Sequence, residues 1–83
     1  METERQLPDR SRVLSALMRQ KRWQRGDQLA TVRVGIGGVP DGRVTRYGLY
    51  RLGALVGVVR ETRIGSIILD KPNDGCSYER VEP

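Results

Sequence analysis

The side chains that most often catalyse reactions in proteins are scarce in this chain and do not occur in catalytic patterns. The chain has no His, the residue that most often serves as a general acid or base. None of its serines, such as Ser15 and Ser66, has an activating base beside it. Several aspartates lie beside or close to Gly or Pro, where they usually form turns: Asp27, Asp41, Asp70 and Asp74. The sequence therefore predicts a protein that is not an enzyme.

Metal and cofactor patterns each fail at a particular residue. Zinc sites need several Cys or His ligands, and Cys76 is the only such residue. Residues 70–81 resemble a calcium loop at three positions, but Val81 stands where the bidentate Glu is required. In residues 35–40, Pro40 replaces the third Gly of a dinucleotide-binding loop, and a strand is predicted to follow instead of a helix. We therefore expect no metal and no cofactor.

A basic segment that includes an aromatic residue is the most distinctive feature. Residues 10–25 contain six Lys or Arg and no acid. On a helix, Arg12, Arg19 and Arg22 would share a face with Trp23. Arg19 would lie one turn from the indole and could stack on it. Arginine pairs well with phosphate, and Trp, Tyr and Arg are enriched at the hot spots of protein interfaces. This segment predicts a binding surface for a partner, with a merely solvated helix face as the alternative. The sequence leaves open whether Trp23 lies on the surface or in the core.

A second candidate patch follows from a predicted β-hairpin. Gly53 and Ala54 have the order of a two-residue type II′ turn, with Gly first. That turn makes Tyr47 and Arg60 cross-strand neighbours and puts Arg51 on the same face. Together with Arg25 of the same basic segment, the two patches give the predicted partner-binding residues, which are Arg12, Arg19, Arg22, Trp23, Arg25, Tyr47, Arg51 and Arg60.

These surfaces lead to a functional hypothesis. The chain is expected to be a small non-enzymatic binding protein that acts stoichiometrically, as an inhibitor or adaptor of a host protein or of a nucleic-acid-handling complex. A module that binds nucleic acid directly is the alternative. The short, Arg-rich composition suits an accessory protein of a phage or mobile element. A homodimer is also considered, because an 83-residue chain can bury only a small core.

The elements that must position these residues are predicted from periodicity. Residues 1–8 are expected to be a flexible N-terminus, and residues 9–25 an amphipathic helix that ends before Gly26. The apolar arc of this helix consists of Val13, Leu14, Leu17 and Met18. From residue 28 to residue 81, alternating apolar and polar residues and short turns predict a four- to five-stranded antiparallel β-meander.

The predicted fold is therefore a single α+β domain over residues 1–83, with the helix packed on the sheet. A small curled β-barrel capped by the helix is the alternative. Sequential strands are expected to be neighbours because their connections are short. The apolar strand at residues 64–70 is predicted to be central in the sheet, and the polar strand at residues 76–81 to be an edge.

Charge and cysteine content restrict the surroundings of the protein. The net charge is +5, and residues 1–25 carry seven Lys or Arg against three acids. No apolar run approaches the roughly 20 residues that cross a bilayer, and the acidic start does not resemble a signal peptide. A lone cysteine fits a reducing compartment. We therefore expect a cytoplasmic protein with no membrane contact.

Overall fold

One helix and five strands make up the described part of the chain. The computed structural model describes residues 7–36 and 39–81, without the side chains of residues 36 and 39–45. Most of the predicted flexible N-terminus lies outside these residues. The elements in chain order are α1 (Arg10–Arg19), β1 (Gln28–Ile36), β2 (Val39–Arg51), β3 (Ala54–Glu61), β4 (Ile67–Asp70) and β5 (Cys76–Val81).

The strands form one antiparallel sheet in the order β4-β3-β2-β1-β5. This confirms the predicted α+β architecture of a helix on an antiparallel meander. The sheet is open, so the alternative of a β-barrel is wrong. The last strand, β5, pairs with β1 and not with β4, so the expectation that all sequential strands are neighbours holds only for β1 to β4.

The apolar strand β4 lies at an edge of the sheet, which corrects its predicted central position. An apolar edge strand is usually a liability, because its outward backbone groups lack partners. Here the residues after α1 cover that edge. The Gln20 side-chain amide donates to the Ile67 carbonyl at 2.9 Å, and the Arg22 guanidinium donates to the Leu69 carbonyl at 3.5 Å. Tertiary contacts thus satisfy carbonyls that a neighbouring strand would otherwise pair.

The helix is shorter than the predicted residues 9–25. It begins after Asp9, whose side chain accepts a hydrogen bond from the backbone N–H of Ser11. It ends because Lys21 adopts a left-handed conformation, with φ of 59°. The N–H of Lys21 then donates to the Met18 carbonyl, and the N–H of Arg22 donates to the Leu17 carbonyl. These two bonds form a Schellman cap, which usually carries Gly at the left-handed position.

Apolar side chains cluster on both faces of the sheet. On the helix face, Val13, Ala16 and Leu17 of α1 pack against sheet residues such as Leu29 and Val59. Met18 was predicted to belong to the apolar arc of the helix, but it is 57% exposed. The opposite face, here called the far face, carries a second cluster formed by Ala30, Val32 and Tyr50 with the partly buried Val34 and Leu55.

The β2–β3 hairpin turns one residue earlier than predicted. Arg51 pairs with Ala54, so the turn residues are Leu52 and Gly53. Their φ angles of 52° and 79° are both positive, as in a type I′ turn. An irregularity after Leu49 shifts the register back by one residue, so Tyr47 pairs with Val59 and not with the predicted Arg60.

Candidate binding surface

The structure separates Trp23 from the arginines that were predicted to surround it. Because α1 ends at Arg19, Trp23 lies in the connection to β1 and not one helical turn from Arg19. Its side chain is half-buried and packs against the core on the helix face. It also lines a cavity of about 720 Å³ between α1 and β1, together with Arg10 and Arg80. The predicted helical face that Arg12, Arg19 and Arg22 would share with Trp23 therefore does not form.

The second predicted patch is also divided. Tyr47 is buried on the helix face, where its hydroxyl donates to the Pro8 carbonyl at 3.0 Å. Arg60 follows Val59, the cross-strand partner of Tyr47, and so lies on the far face. There the Nε of Arg60 donates to Asp70 at 2.8 Å. The prediction that Tyr47 and Arg60 are cross-strand neighbours is wrong, because successive residues of a strand point to opposite faces.

The third member of that patch, Arg51, holds the end of β2 against the turn before β1. Its Nε and Nη2 donate to the two carboxylate oxygens of Asp27 at 3.0 and 2.9 Å. The carboxylate also accepts the N–H of Gln24 at 2.9 Å. The hydrogen bonds from Arg51 hold the pKa of Asp27 below its usual value although burial opposes this shift, and they raise the pKa of Arg51. Arg51 therefore stabilises the fold through this buried carboxylate.

Ion pairs with acids neutralise two further arginines. Arg12 contacts Glu61 at 2.8 Å and also donates to the carbonyl of Gly65. Arg33 on β1 pairs with Glu79 on β5, its cross-strand neighbour. Exposed pairs of this kind contribute only about 0–1 kcal/mol to stability. They do, however, offset positive charge that an approaching anion would otherwise meet.

One group of cations remains exposed and without acidic partners. It comprises the last residue of α1 and three residues of the connection to β1, and we call it the helix-end surface: Arg19, Lys21, Arg22 and Arg25. None of these four forms an ion pair with a residue that the structure describes. Arg22 donates to the carbonyl of Leu69, which places this surface beside the β4 edge of the sheet. Of the predicted site residues, Arg19, Arg22 and Arg25 thus lie in one exposed segment at the end of α1.

Sequence reasoning did not identify a further group of cations on the far face. Arg46 and Lys71 line a cavity there together with Arg60. Arg46 and Lys71 lie 25 residues apart, in segments that show no basic run. Only the register between β2 and β3 reveals that Arg46 and Arg60 share a face.

The remaining chemistry of the surface is limited within the described ranges. No group of three or more Cys, Asp or Glu in residues 7–36 and 39–81 is arranged to hold a metal ion. Over the same residues, no helix has the length and apolar composition to cross a membrane. Comparisons of the chain with protein-family models, with curated proteins and with solved structures found no significant match.

Proposed function

We propose that this chain is a non-enzymatic protein that binds nucleic acid by contacts between the helix-end surface and backbone phosphates. The observation that carries the proposal is the concentration of four exposed cations within seven residues, none of them paired with a described acid. By contrast, Arg12, Arg33, Arg51 and Arg60 each contact a carboxylate. Unpaired lysines and arginines on one surface are the electrostatic footprint of phosphate binding.

Helix stability explains only part of this cluster. A cation in the last turn of a helix interacts favourably with the negative end of the helix dipole, and Arg19 is the basic residue of that turn. Lys21, Arg22 and Arg25 lie beyond the helix end, and the effect falls off within the last turn. Their concentration therefore fits a role in recognition.

The positions of the aromatic residues favour phosphates over bases as the groups contacted. Proteins that hold single strands stack unpaired bases on exposed aromatic rings. Trp23 is half-buried and packed against the core, and Tyr47 is buried, so neither ring is fully exposed beside the helix-end surface. We therefore expect binding to duplex nucleic acid with little dependence on base sequence.

A salt series with a fluorescently labelled DNA duplex tests the proposal by fluorescence anisotropy. Each phosphate contact contributes about −0.9 to the slope of log K against log salt, so four contacts give about −3.6. Affinity should then fall roughly 100-fold between 50 and 200 mM salt. Lys21→Gln and Arg25→Gln should each reduce the slope by about one. No binding by the folded protein at low salt would reject the proposal.

A matched control distinguishes local contacts from the loss of net charge. Arg63 is an exposed cation in the turn between β3 and β4. Arg63→Gln removes one positive charge, as Arg25→Gln does, but lies outside the helix-end surface. The control should keep the slope of the unchanged protein. Equal effects of both substitutions would show that only the overall charge matters.

A second candidate function is the one that the sequence put first, an inhibitor or adaptor that binds a protein. The cavity beside Trp23 supports it, because apolar side chains such as Leu14 and Leu29 line it together with Arg10 and Arg80. Apolar pockets with a few charged groups can receive anchor side chains of a partner. Affinity capture from the host lysate with added nuclease tests this candidate. Loss of every captured protein on nuclease treatment would count against it.

Two further expectations remain predictions. A homodimer would help a chain with a small core, and sedimentation at micromolar concentration would reveal the mass of one or two chains. A cytoplasmic location fits a chain with one cysteine, Cys76. Fractionation of host cells would test it.

A further inference from the structure

The far face of the sheet, opposite α1, contains a cavity of about 350 Å³. Its lining includes three cations, one acid and two apolar side chains. These are Arg46, Arg60, Lys71, Asp70, Val34 and Val58. Tyr78, Asn73 and Cys76 complete the side towards β5. A volume of this size lies at the lower end of the range for small-ligand sites.

The register of the sheet brings two of these cations together. Tyr47 pairs with Val59 across β2 and β3, and the residues next to them, Arg46 and Arg60, both line the far-face cavity. Like charges close together on adjacent strands disfavour the pairing of those strands. The carboxylate of Asp70 offsets the charge of Arg60, and an additional anion would offset that of Arg46.

The carboxylate of Asp70 in the cavity lining forms an ion pair with Arg60 and not with Arg46. Asp70 accepts the Nε–H of Arg60 at 2.8 Å, and this hydrogen bond raises the pKa of Arg60. Arg46 is half-buried. It makes no ion pair with any residue that the structure describes. A partly desolvated cation without a counter-ion is costly, so Arg46 has an energetic reason to bind an anion.

Two more groups in the cavity can donate hydrogen bonds. Lys71 follows β4 directly and is exposed, without an ion pair to a described residue. The Tyr78 hydroxyl accepts the backbone N–H of Asn73 at 2.8 Å, which leaves its own proton free to donate. The lining therefore combines cationic donors with a neutral donor beside an apolar wall.

We propose that this far-face cavity binds the phosphate group of a small ligand. Three cations and one carboxylate leave two positive charges in the lining, which complements a phosphate of about −1.5 to −2 charge at neutral pH. Arg46 supplies the fork that pairs with phosphate oxygens, and Lys71 supplies a second cation. Val34 and Val58 line the side where the organic part of the ligand lies. This site is separate from the helix-end surface and does not depend on nucleic-acid binding.

Isothermal titration of the full chain at low salt tests the site with three probes: inorganic phosphate, adenosine 5′-monophosphate and adenosine. We expect saturable binding of the nucleotide at about millimolar concentration or tighter, and no binding of adenosine. Binding of inorganic phosphate as well would show that the phosphate alone is sufficient. If only the nucleotide binds, the organic part contributes to the same site. Absence of binding by both phosphate compounds would overturn the proposal, as would equal binding of the nucleotide and adenosine.

Substitution locates the binding. Arg46→Gln should lower the affinity for the nucleotide at least tenfold, and Lys71→Gln should lower it several-fold. Arg63→Gln removes the same charge elsewhere and should leave this affinity unchanged. Equal affinities for the unchanged protein and Arg46→Gln would disprove the assignment. Arg46→Gln also removes one of the like charges that line this cavity with Arg60. Without ligand, the urea midpoint of this variant should therefore be equal to or higher than that of the unchanged protein. A folded variant that has lost binding thus separates recognition from stability.

Discussion

The close packing of the Leu69 side chain on the backbone of Gly57 makes Gly57→Ala a direct test of the fold. Gly57 on β3 lies beneath Leu69 of β4, on the face covered by α1. A Cβ atom at Gly57 would lie 2.6 Å from Leu69 Cδ1 and 2.7 Å from its Cγ. Carbon atoms normally approach to about 3.5–4.0 Å, so the overlap is about 1 Å. Since Cγ is near the base of the side chain, Leu69 cannot relieve the overlap by moving its tip alone.

The expected loss of stability follows from two opposing effects. Overpacking of a well-packed core costs about 1–3 kcal/mol. Replacement of Gly by Ala regains about 0.5–1 kcal/mol, because the unfolded chain loses conformational freedom. The free energy of unfolding of Gly57→Ala should therefore fall by about 1–2 kcal/mol. For a chain of this size, each kcal/mol lowers the melting temperature by about 4–8 °C. Urea unfolding and thermal unfolding both measure the change.

A double-mutant cycle identifies the contact responsible. Leu69→Ala removes the atoms that would overlap, so Gly57→Ala should cost about 1 kcal/mol less in that background than in the unchanged protein. Gly53→Ala is the control, because no atom lies within 4 Å of the added Cβ. Its cost of about 1–2 kcal/mol comes from the positive φ and should not depend on Leu69. Full stability of Gly57→Ala, or no coupling to Leu69, would refute this packing.

Two further predictions concern the ion pair between Arg51 and Asp27 and the turn of the β2–β3 hairpin. The pKa of Asp27 is lowered in the folded state, so its contribution to stability is complete above the unfolded pKa near 3.9 and is lost as the pH falls through the folded value. Asp27→Asn should flatten the dependence of unfolding free energy on pH below about 5, and an unchanged acid profile would contradict the role of the pair with Arg51. Leu52 is fully exposed at a positive φ of 52°, and Asn beside Gly53 favours a type I′ turn. Leu52→Asn should therefore raise the free energy of unfolding by about 1 kcal/mol and raise the urea midpoint with it. A lower midpoint for that variant would contradict the turn type.

The extent of the helix shows where local patterns cease to be informative. Asp9 and the apolar residues after it predicted the beginning of α1 and the face that Val13 and Leu17 bury. The end was predicted about six residues too late, because the left-handed position is occupied by Lys21 and not by Gly. Lys has good helix propensity, so nothing local indicates a stop. Contacts of Gln20 and Arg22 with the β4 edge stabilise this end of the helix.

The candidate surfaces also combine features that the local sequence predicts with features that only tertiary contacts decide. The basic residues after α1 were recognised from composition, because charge and exposure go together for Arg and Lys. Tyr47 was placed beside the wrong neighbour, and the burial of Trp23 was left open, since Trp and Tyr suit both cores and interfaces and only packing decides between them. Arg46 was not assigned to either predicted patch, because its position beside Arg60 depends on the irregular register of the β2–β3 hairpin.

The sequence by itself determined the classes of the elements, the positive charge after the helix start and the absence of His and of paired Cys. These follow from residue type and local periodicity, which do not depend on distant contacts. Only the tertiary structure decided which edge of the sheet β5 joins, which face Arg60 occupies and whether Trp23 is open to a partner. A shift of one residue in strand pairing moves side chains to the other face. The register of β2 and β3 depends on the turn at Leu52 and Gly53 and on the irregularity after Leu49, so the far-face group of cations follows from register, whereas the helix-end surface follows from composition.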